Sequence, residues 1–282
     1  MPSKTYLQFR MDILDYTFFR HALMGSIFTC IACGLVGTYI VSRRLVFISG
    51  GITHASFGGL GLGFYLGINP IMSAMVFAIM SAFGVQWLSK KQGVREDSAI
   101  AAIWSLGMAL GIICIFLTQG YAPNISEYLF GNILTITYTD LLVIGLLAGV
   151  LILVFIFFFN KILYTAFDRE FARAKNVNVN LIEYLMMAAI AITIVASIRL
   201  VGIMLLMSLL TVPQMIANLF TSRFKIILIY SVLWGILGCF GGLFLSYYLM
   251  IPSGAAIIFV LTVAFLLCKS GIFIYQKAIK RQ

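Results

Sequence analysis

Apolar runs of about 20 residues follow one another along almost the whole chain, and each is long enough to cross a bilayer as an α-helix. Short connections that are polar or contain glycine and proline separate these runs. The predicted crossings cover residues 18–41, 46–67, 71–88, 99–118, 141–160, two helices within 184–220, 226–250 and 254–268. The pattern predicts an all-α polytopic membrane protein with one domain over residues 1–282 and nine transmembrane helices, or eight if 184–220 folds as broken helices. Arg199 and Gly202 are predicted to break the run at 184–220, and Pro213 is predicted to kink the later of its two helices.

Basic residues in the connections indicate how the helices are oriented. After residue 40 the Lys and Arg clusters fall in alternate connections, beginning with Arg43-Arg44. Because cytoplasmic loops carry the excess of Lys and Arg, these connections are expected in the cytoplasm. The N-terminus is then outside and the C-terminus cytoplasmic. Residues 1–17 mix aromatic, apolar and charged residues, so this N-terminal segment is expected to lie along the membrane surface.

Two segments depart from this alternation of crossings and short loops. Residues 128–137 are apolar but too short to span, which predicts a half-helix or re-entrant piece. Residues 161–183 form a long polar segment with charges of both signs, and they offer the largest cytoplasmic surface for a partner. Within it, a short solvated helix is predicted, with Asn176 as a left-handed stop. Glu183 is interpreted as a first-turn charge of the next helix.

Composition and charge narrow the function. Of the 282 residues, 62% are hydrophobic and 10% are charged, which leaves no soluble catalytic domain. The net charge of +10 comes from clusters between apolar runs, so membrane lipid is an expected partner and nucleic acid is not. The chain contains no G-x-x-x-x-G-K-[ST] phosphate loop. The chain is therefore predicted not to be an enzyme but a transporter subunit without its own ATPase site.

The helix over residues 46–67 carries the most informative polar residue, His54, in the sequence SGGITHASFGGLGLGFYLGINP. An ionisable side chain on an apolar helix indicates an ion pathway by default, and neutral imidazole binds Zn, Mn or Fe. At 3.6 residues per turn, the helix face of His54 also carries Gly50, Gly51, Gly58 and Gly61, so another backbone or a passing ion can approach the ring. The alternative is that His54 hydrogen-bonds a neighbouring helix and has only a structural role.

Weaker candidates for an ion route lie elsewhere in the chain. Met204, Met207, Gln214 and Asn218 are possible soft or polar stations, although methionines at helical spacing are typical of ordinary packing. Outside the membrane, Glu127 and Asp140 are possible cation collectors. Cys30-x-x-Cys33 is interpreted as two small buried residues on one helix face, with a metal or redox pair as the alternative.

Three stretches of sequence, in order along the chain, support a family resemblance. They are the segment from Arg43-Arg44 to Pro70, the piece Gly131-Asn132-Ile133-Leu134, and FDREFARAKNVNVNLIEYL followed by RLVGIMLLMSLLTVPQMIANL. Together they resemble the permease subunits of zinc/manganese/iron ABC importers, often called ABC-3. The resemblance implies a type II ABC importer-like permease in a bacterial cytoplasmic (inner) membrane, working as a homodimer.

The resemblance also implies partners and cargo. A cytoplasmic ATP-binding subunit would use the ATP, and an extracytoplasmic solute-binding protein would deliver a divalent metal ion, Zn, Mn or Fe. No cofactor would be bound permanently. On this resemblance, residues 167–175 are the coupling helix that docks on the ATPase, and His54 is a transient pathway ligand. The coupling residues would be Phe167, Asp168, Glu170, Phe171, Ala172 and Lys175.

Two positions depart from the family pattern. Members commonly carry an aspartate four residues before the histidine, where this chain has Gly50. A hard oxygen ligand is therefore missing from that helix face, which affects the expected metal selectivity. The glycine usual near the end of the coupling segment is Asn176 here, a mild change because asparagine also tolerates the left-handed conformation.

Two other functions remain open on the residues alone. A self-contained secondary transporter or channel for cations is disfavoured by the scarcity of intramembrane carboxylates. A membrane-embedded enzyme with a metal at His54 would need more ligands than one histidine supplies.

Overall fold

The computed structural model describes residues 16–118 and 136–279 of the chain. Within these ranges the backbone forms eleven helices and no strand. Four predictions fall wholly or almost wholly outside the described residues: the surface segment except for residues 16 and 17, Glu127, the piece at 131–134, and the half-helix at 128–137 except for its last two residues.

The described helices follow the predicted apolar runs closely. In chain order they are α1 (Thr17–Ser42), α2 (Val46–Leu66), α3 (Pro70–Lys91), α4 (Glu96–Leu117), α5 (Tyr138–Phe157), α6 (Phe159–Phe167), α7 (Arg169–Ala174), α8 (Val179–Leu209), α9 (Val212–Phe220), α10 (Phe224–Leu249) and α11 (Ser253–Ile279).

Eight spans within the described ranges are long and apolar enough to cross a membrane. Two of them, Val179–Ile198 and Leu200–Phe220, come from α8 and α9. Helix α2 is not among the eight, although its 21 residues have the length of a crossing, because glycine, serine, threonine and His54 dilute its apolar residues. The prediction of an all-α polytopic membrane protein with eight or nine helices is confirmed.

The predicted break within 184–220 lies at Gly202. This residue has φ 74° and ψ 166° inside α8, a conformation that only glycine adopts without strain. Pro213 does not kink a continuous helix as predicted. It lies in the first turn of α9, where its missing N–H would have no helical partner in any case, so the proline starts a new helix instead.

Burial separates central helices from peripheral ones. In α1 and in the span Leu200–Phe220, 67% of the apolar window is buried, compared with 11% in α11.

Helix α2 packs mainly against α4 and α3. Its buried hydroxyl groups donate to backbone carbonyl oxygens one turn earlier in the same helix, as with Thr53 to Ser49 and Ser56 to Thr53. These buried hydroxyl groups of α2 are therefore satisfied within the helix itself.

Candidate functional site

Helices α2 and α4 approach each other backbone to backbone through glycines. A methyl group added at Gly58 would lie 2.7 Å from the carbonyl oxygen of Gly107, and one at Gly61 would lie 2.4 Å from that of Gly111. A methyl group at Gly51 would lie 2.4 Å from Ile100 Cγ2, also on α4. The glycine face predicted beside His54 is therefore largely covered by α4, as in other small-residue contacts between membrane helices.

The His54 imidazole is enclosed by an aromatic side chain that the sequence analysis did not pair with it. The ring of Trp104, on α4, stacks on the imidazole with the two ring centroids 4.5 Å apart and the ring planes 3° from parallel. The Nδ1 atom of His54 is buried and has no hydrogen-bond partner among the described residues. The alternative role, a hydrogen bond from His54 to a neighbouring helix, is therefore not made by this nitrogen within the described part of the chain, where the imidazole instead stacks on Trp104.

Gly50, one helical turn before His54, faces α8 rather than α4. A methyl group added at Gly50 would lie 2.8 Å from Met207 Cε and 3.8 Å from Met207 Sδ. The Met207 side chain thus occupies the space in front of Gly50, where the resemblance led us to expect an aspartate. A thioether sulfur is a soft, weak ligand, so this position offers different chemistry from a carboxylate.

A permanent metal site does not accompany this arrangement within residues 16–118 and 136–279. No group of three His, Cys, Asp or Glu side chains in these ranges could hold a metal ion. Cys30 and Cys33 are free and buried, and Cys30 Sγ lies 3.5 Å from Cys239 Sγ. Gln214 is also a packing residue, since its Nε2 donates to the carbonyl oxygens of Cys33 and Leu209.

The polar segment 161–183 folds as two short helices followed by the start of α8. Asp168 caps α7, because its carboxylate accepts from the backbone N–H groups of Glu170 at 2.9 Å and Phe171 at 3.0 Å. The helix ends at Ala174, and Asn176, two residues further on, has a left-handed φ of 55° as predicted. The ring of Phe171 packs edge-on against Tyr164 on α6, which holds the two short helices together.

The six predicted coupling residues do not share one environment. Asp168, Glu170 and Lys175 are exposed, and the two phenylalanine side chains, Phe167 and Phe171, are exposed by 60% and 45%. Ala172 is fully buried on the opposite side of α7. The short helix therefore presents an outer surface of mixed charge and aromatic character, while Ala172 anchors it to the bundle.

A buried carboxylate lies where this segment meets the helices. Glu183 Oε1 accepts from Arg43 Nη2 at 3.0 Å and pairs with Arg169 Nε at 2.7 Å. Its Oε2 accepts from Lys90 Nζ and from Gln86 Nε2, the latter at 3.4 Å. The Glu183 side chain is 2% exposed. We call these five residues the Glu183 cluster.

The Glu183 cluster defines one end of the helical bundle. Arg43 follows the last residue of α1, Lys90 lies in the last turn of α3, and Arg169 is the first residue of α7. Glu183 is the fifth residue of α8, so it is not the first-turn charge that the sequence suggested. We call this end of the bundle, where the cationic residues gather, the basic end.

Comparison with known proteins gives these sites a context. The ABC 3 transport family, ABC-3, matches residues 15–271. The chain belongs to the ABC-3 family. An uncharacterised membrane protein of Synechocystis is 37% identical over 265 residues, which cover 94% of each chain. The manganese transport system membrane protein MntC of Halalkalibacterium halodurans is 30% identical over 256 residues, 91% of this chain and 88% of that protein.

A solved structure agrees with the fold of this ABC-3 chain. PsaBC from Streptococcus pneumoniae, determined in complex with a Fab, contains a chain that superposes with a TM-score of 0.82 at 29% identity. The match covers 92% of this chain and 93% of the other. The resemblance inferred from the sequence is therefore confirmed for the whole helical core.

The Glu183 cluster and Trp104 are the features of this ABC-3 chain that sequence reasoning missed. Glu183 carried a usable signal, because a carboxylate one turn inside an apolar helix requires a nearby cation. Nothing in the local sequence, however, indicates that Arg43 and Lys90 are the residues that supply the charge. Trp104 carried no comparable signal, since a tryptophan in an apolar helix is ordinary.

Proposed function

We propose that this ABC-3 chain is the membrane permease subunit of an ATP-driven importer of divalent metal ions, with Mn, Zn or Fe as cargo. The observation that carries the proposal is the family match over residues 15–271 together with alignment, over 91% of the chain, to a relative named for manganese transport. The permease itself is not an enzyme in this proposal, and ATP is used by a separate subunit.

His54 is the proposed transient ligand on the route of the metal. Its buried Nδ1 is unpartnered among the described residues, and the stack with Trp104 removes the rotational freedom of the ring. A stable zinc-type site needs three or four strong protein ligands. One imidazole, with the Met207 thioether in front of Gly50 one turn earlier in α2, offers far fewer ligands, which suits an ion that passes and is released.

The exposed surface of α7 is the proposed docking site for the ATPase. It combines the aromatic rings of Phe167 and Phe171 with the charges of Asp168, Glu170 and Lys175. Aromatic anchors surrounded by charged rim residues are typical of protein interfaces. Ala172 acts from the buried side by holding α7 against the bundle.

The remaining parts of the proposal concern orientation and partners. The basic end lies in the cytoplasm of a bacterial cell, by the positive-inside rule, so the N-terminus is outside and the C-terminus cytoplasmic. An extracytoplasmic solute-binding protein delivers the metal at the opposite end. A second copy of the chain completes the permease, and membrane lipid surrounds the exposed apolar side chains, which are abundant on α11.

Metal uptake by the assembled transporter tests the proposal. The chain is co-expressed with its ATPase and its binding protein, and uptake of Mn, Zn and Fe is measured for the wild type and for His54→Ala. We expect His54→Ala to lower ATP-dependent uptake of one metal about tenfold or more, the size of loss that disturbed metal ligation commonly causes. His21→Ala is the matched control, because His21 is the other histidine of the chain's two. Its Nδ1 lies 3.2 Å from the carbonyl oxygen of Ile136, which does not belong to α2.

The controls separate the possible failures. Co-purification of the ATPase with each variant establishes that the complex has assembled. Normal uptake by an assembled His54→Ala complex would contradict the pathway assignment. Absence of ATP-dependent uptake of all three metals in the wild type would contradict the proposed function as a whole.

A further inference from the structure

We propose that Glu183 is the joint through which movement of the docking helix α7 is transmitted to the membrane helices α1, α3 and α8. This inference rests on the proposed function, because it assigns a transmission role within an ATP-driven permease. It makes Glu183 and its cationic partners positioning residues, distinct from the residues that contact the ATPase or the metal.

The first argument is that one carboxylate holds four partners at once. An ionised carboxylate offers about four lone-pair sites on two oxygens. In the Glu183 cluster Oε1 accepts a hydrogen bond from Arg43 and forms an ion pair with Arg169, while Oε2 accepts hydrogen bonds from Lys90 and Gln86. All four contacts of the Glu183 carboxylate are therefore to elements other than its own helix.

The second argument is that these donors come from separate elements at the basic end. Arg43, Lys90 and Arg169 belong to the end of α1, the last turn of α3 and the first turn of α7. Arg169 Nε lies 2.7 Å from Glu183 Oε1, and charged contacts to a carboxylate that is itself buried are strong, so a displacement of α7 pulls on the other elements of the cluster together. A flexible loop with only solvated charges would not transmit such a displacement.

The third argument is that the segment carrying α7 is tied at a second point. Arg43 Nη1 donates to the carbonyl oxygen of Thr165 on α6, 3.2 Å away, while Arg43 Nη2 bonds to Glu183. The planar guanidinium group makes both bonds at once, which an ammonium group cannot do with the same geometry. Arg43 therefore links α1 to α6 and, through Glu183, to α7 and α8.

A ligand or cargo site at the same place fits the cluster poorly. The cavity beside Glu183 has a volume of about 60 Å³, the space of about two water molecules and too small for a nucleotide or a lipid headgroup. Its ionisable lining groups include three cations, Arg43, Lys90 and Arg169, and two carboxylates, Glu183 and Glu96. A divalent cation would meet the positive charges before it reached Glu183, so the metal does not leave by this route.

The test compares two neighbouring arginines. Arg43→Gln removes the two bonds described above, whereas Arg44→Gln removes the same charge from the exposed next residue, which lies outside the Glu183 cluster. Glu183 keeps Arg169 and Lys90 in Arg43→Gln, so the carboxylate stays paired and the fold is retained. Arg43→Lys keeps the charge but not both bonds.

Two quantities are measured on the complex of permease and ATPase reconstituted in liposomes, with the metal-loaded solute-binding protein supplied on the extracytoplasmic side. The first is the number of metal ions imported per ATP hydrolysed. The second is amide hydrogen exchange of residues 169–177. For Arg43→Gln we expect exchange at least about tenfold faster, because two charge-assisted hydrogen bonds are lost and the loss of one of ordinary strength already accounts for about a factor of ten. We also expect fewer ions imported per ATP, while Arg44→Gln matches the wild type and Arg43→Lys falls between.

The outcomes distinguish the joint from simple structural support and from failure of the proposed function. Equal exchange and equal import per ATP in Arg43→Gln and Arg44→Gln would overturn the joint. Faster exchange with unchanged import per ATP would also overturn it, because the cluster would then only stabilise the fold. If the wild type hydrolyses ATP without importing metal, the proposed function fails and the transmission role fails with it, while the exchange data still report whether the tether exists.

Discussion

The surroundings of His54 and the Glu183 cluster hold helices together in opposite ways. Around His54, α2 and α4 touch through backbone atoms, because Gly58 and Gly61 leave no side chain between them. At the basic end, long charged side chains from separate elements converge on the single carboxylate of Glu183. The contact between α2 and α4 depends on glycines that have no side chains. The contact at the basic end depends on the attraction between cationic side chains and the Glu183 carboxylate.

This difference matches the two roles proposed above, a pathway for the ion at His54 and a joint between helices at Glu183. A glycine contact adds no charge, so it can surround a cation ligand without repelling the cation. A cluster with three cations repels a divalent metal but joins moving elements firmly. The two kinds of contact therefore suit a pathway and a joint respectively, and they should respond differently to mutation.

Loss of the buried carboxylate is expected to have the largest effect. Glu183→Gln leaves three cations without their counter-charge in a buried site, so we expect the free energy of unfolding to fall by about 3 kcal/mol. Thermal unfolding of the purified permease in detergent measures this change. Glu170→Gln removes a carboxylate from the exposed side of α7 and should unfold like the wild type. Equal stability of the two variants would mean that the Glu183 cluster does not stabilise the contacts between the helices that it joins.

An added methyl group at the glycine contact is expected to have an intermediate effect. In Gly61→Ala the new methyl group would lie 2.4 Å from the carbonyl oxygen of Gly111, so the helices must separate and stability should fall by about 2 kcal/mol. Gly149→Ala is the control, because nothing described lies within 4 Å of the added group. The same thermal unfolding assay applies. A Gly61→Ala protein as stable as Gly149→Ala would contradict the close backbone approach of α2 and α4.

Removal of the Trp104 ring that stacks on His54 is expected to have the smallest effect. Trp104→Leu abolishes a stacked aromatic pair worth about 1 kcal/mol, so metal uptake should fall about fivefold while the complex still assembles. Trp87→Leu, a change at a half-exposed tryptophan on α3, should leave uptake unaffected. If the two variants transport equally well, the stack does not position the imidazole.

Local chemistry made several parts of the structure predictable. The left-handed stop at Asn176 and the break at Gly202 follow from residues that tolerate positive φ, and both are found where expected. Pro213 was predicted only half correctly, because proline both disturbs a helix and starts one well. Which of these occurs depends on whether the preceding turn is held by other contacts, here including the bonds of Gln214 to Cys33 and Leu209.

The sequence by itself determined the class of the protein, its helices and their order, because the length and apolarity of a run decide whether it crosses a membrane. It also identified His54 as a candidate metal ligand and the 161–183 segment as a candidate docking surface. Only the tertiary structure decided that Trp104 covers the imidazole and that Arg43, Lys90 and Arg169 meet at Glu183. The helical period assigns a residue to a face of its own helix. It contains no information on which helix becomes the neighbour, and that choice is made by packing between segments far apart in the chain.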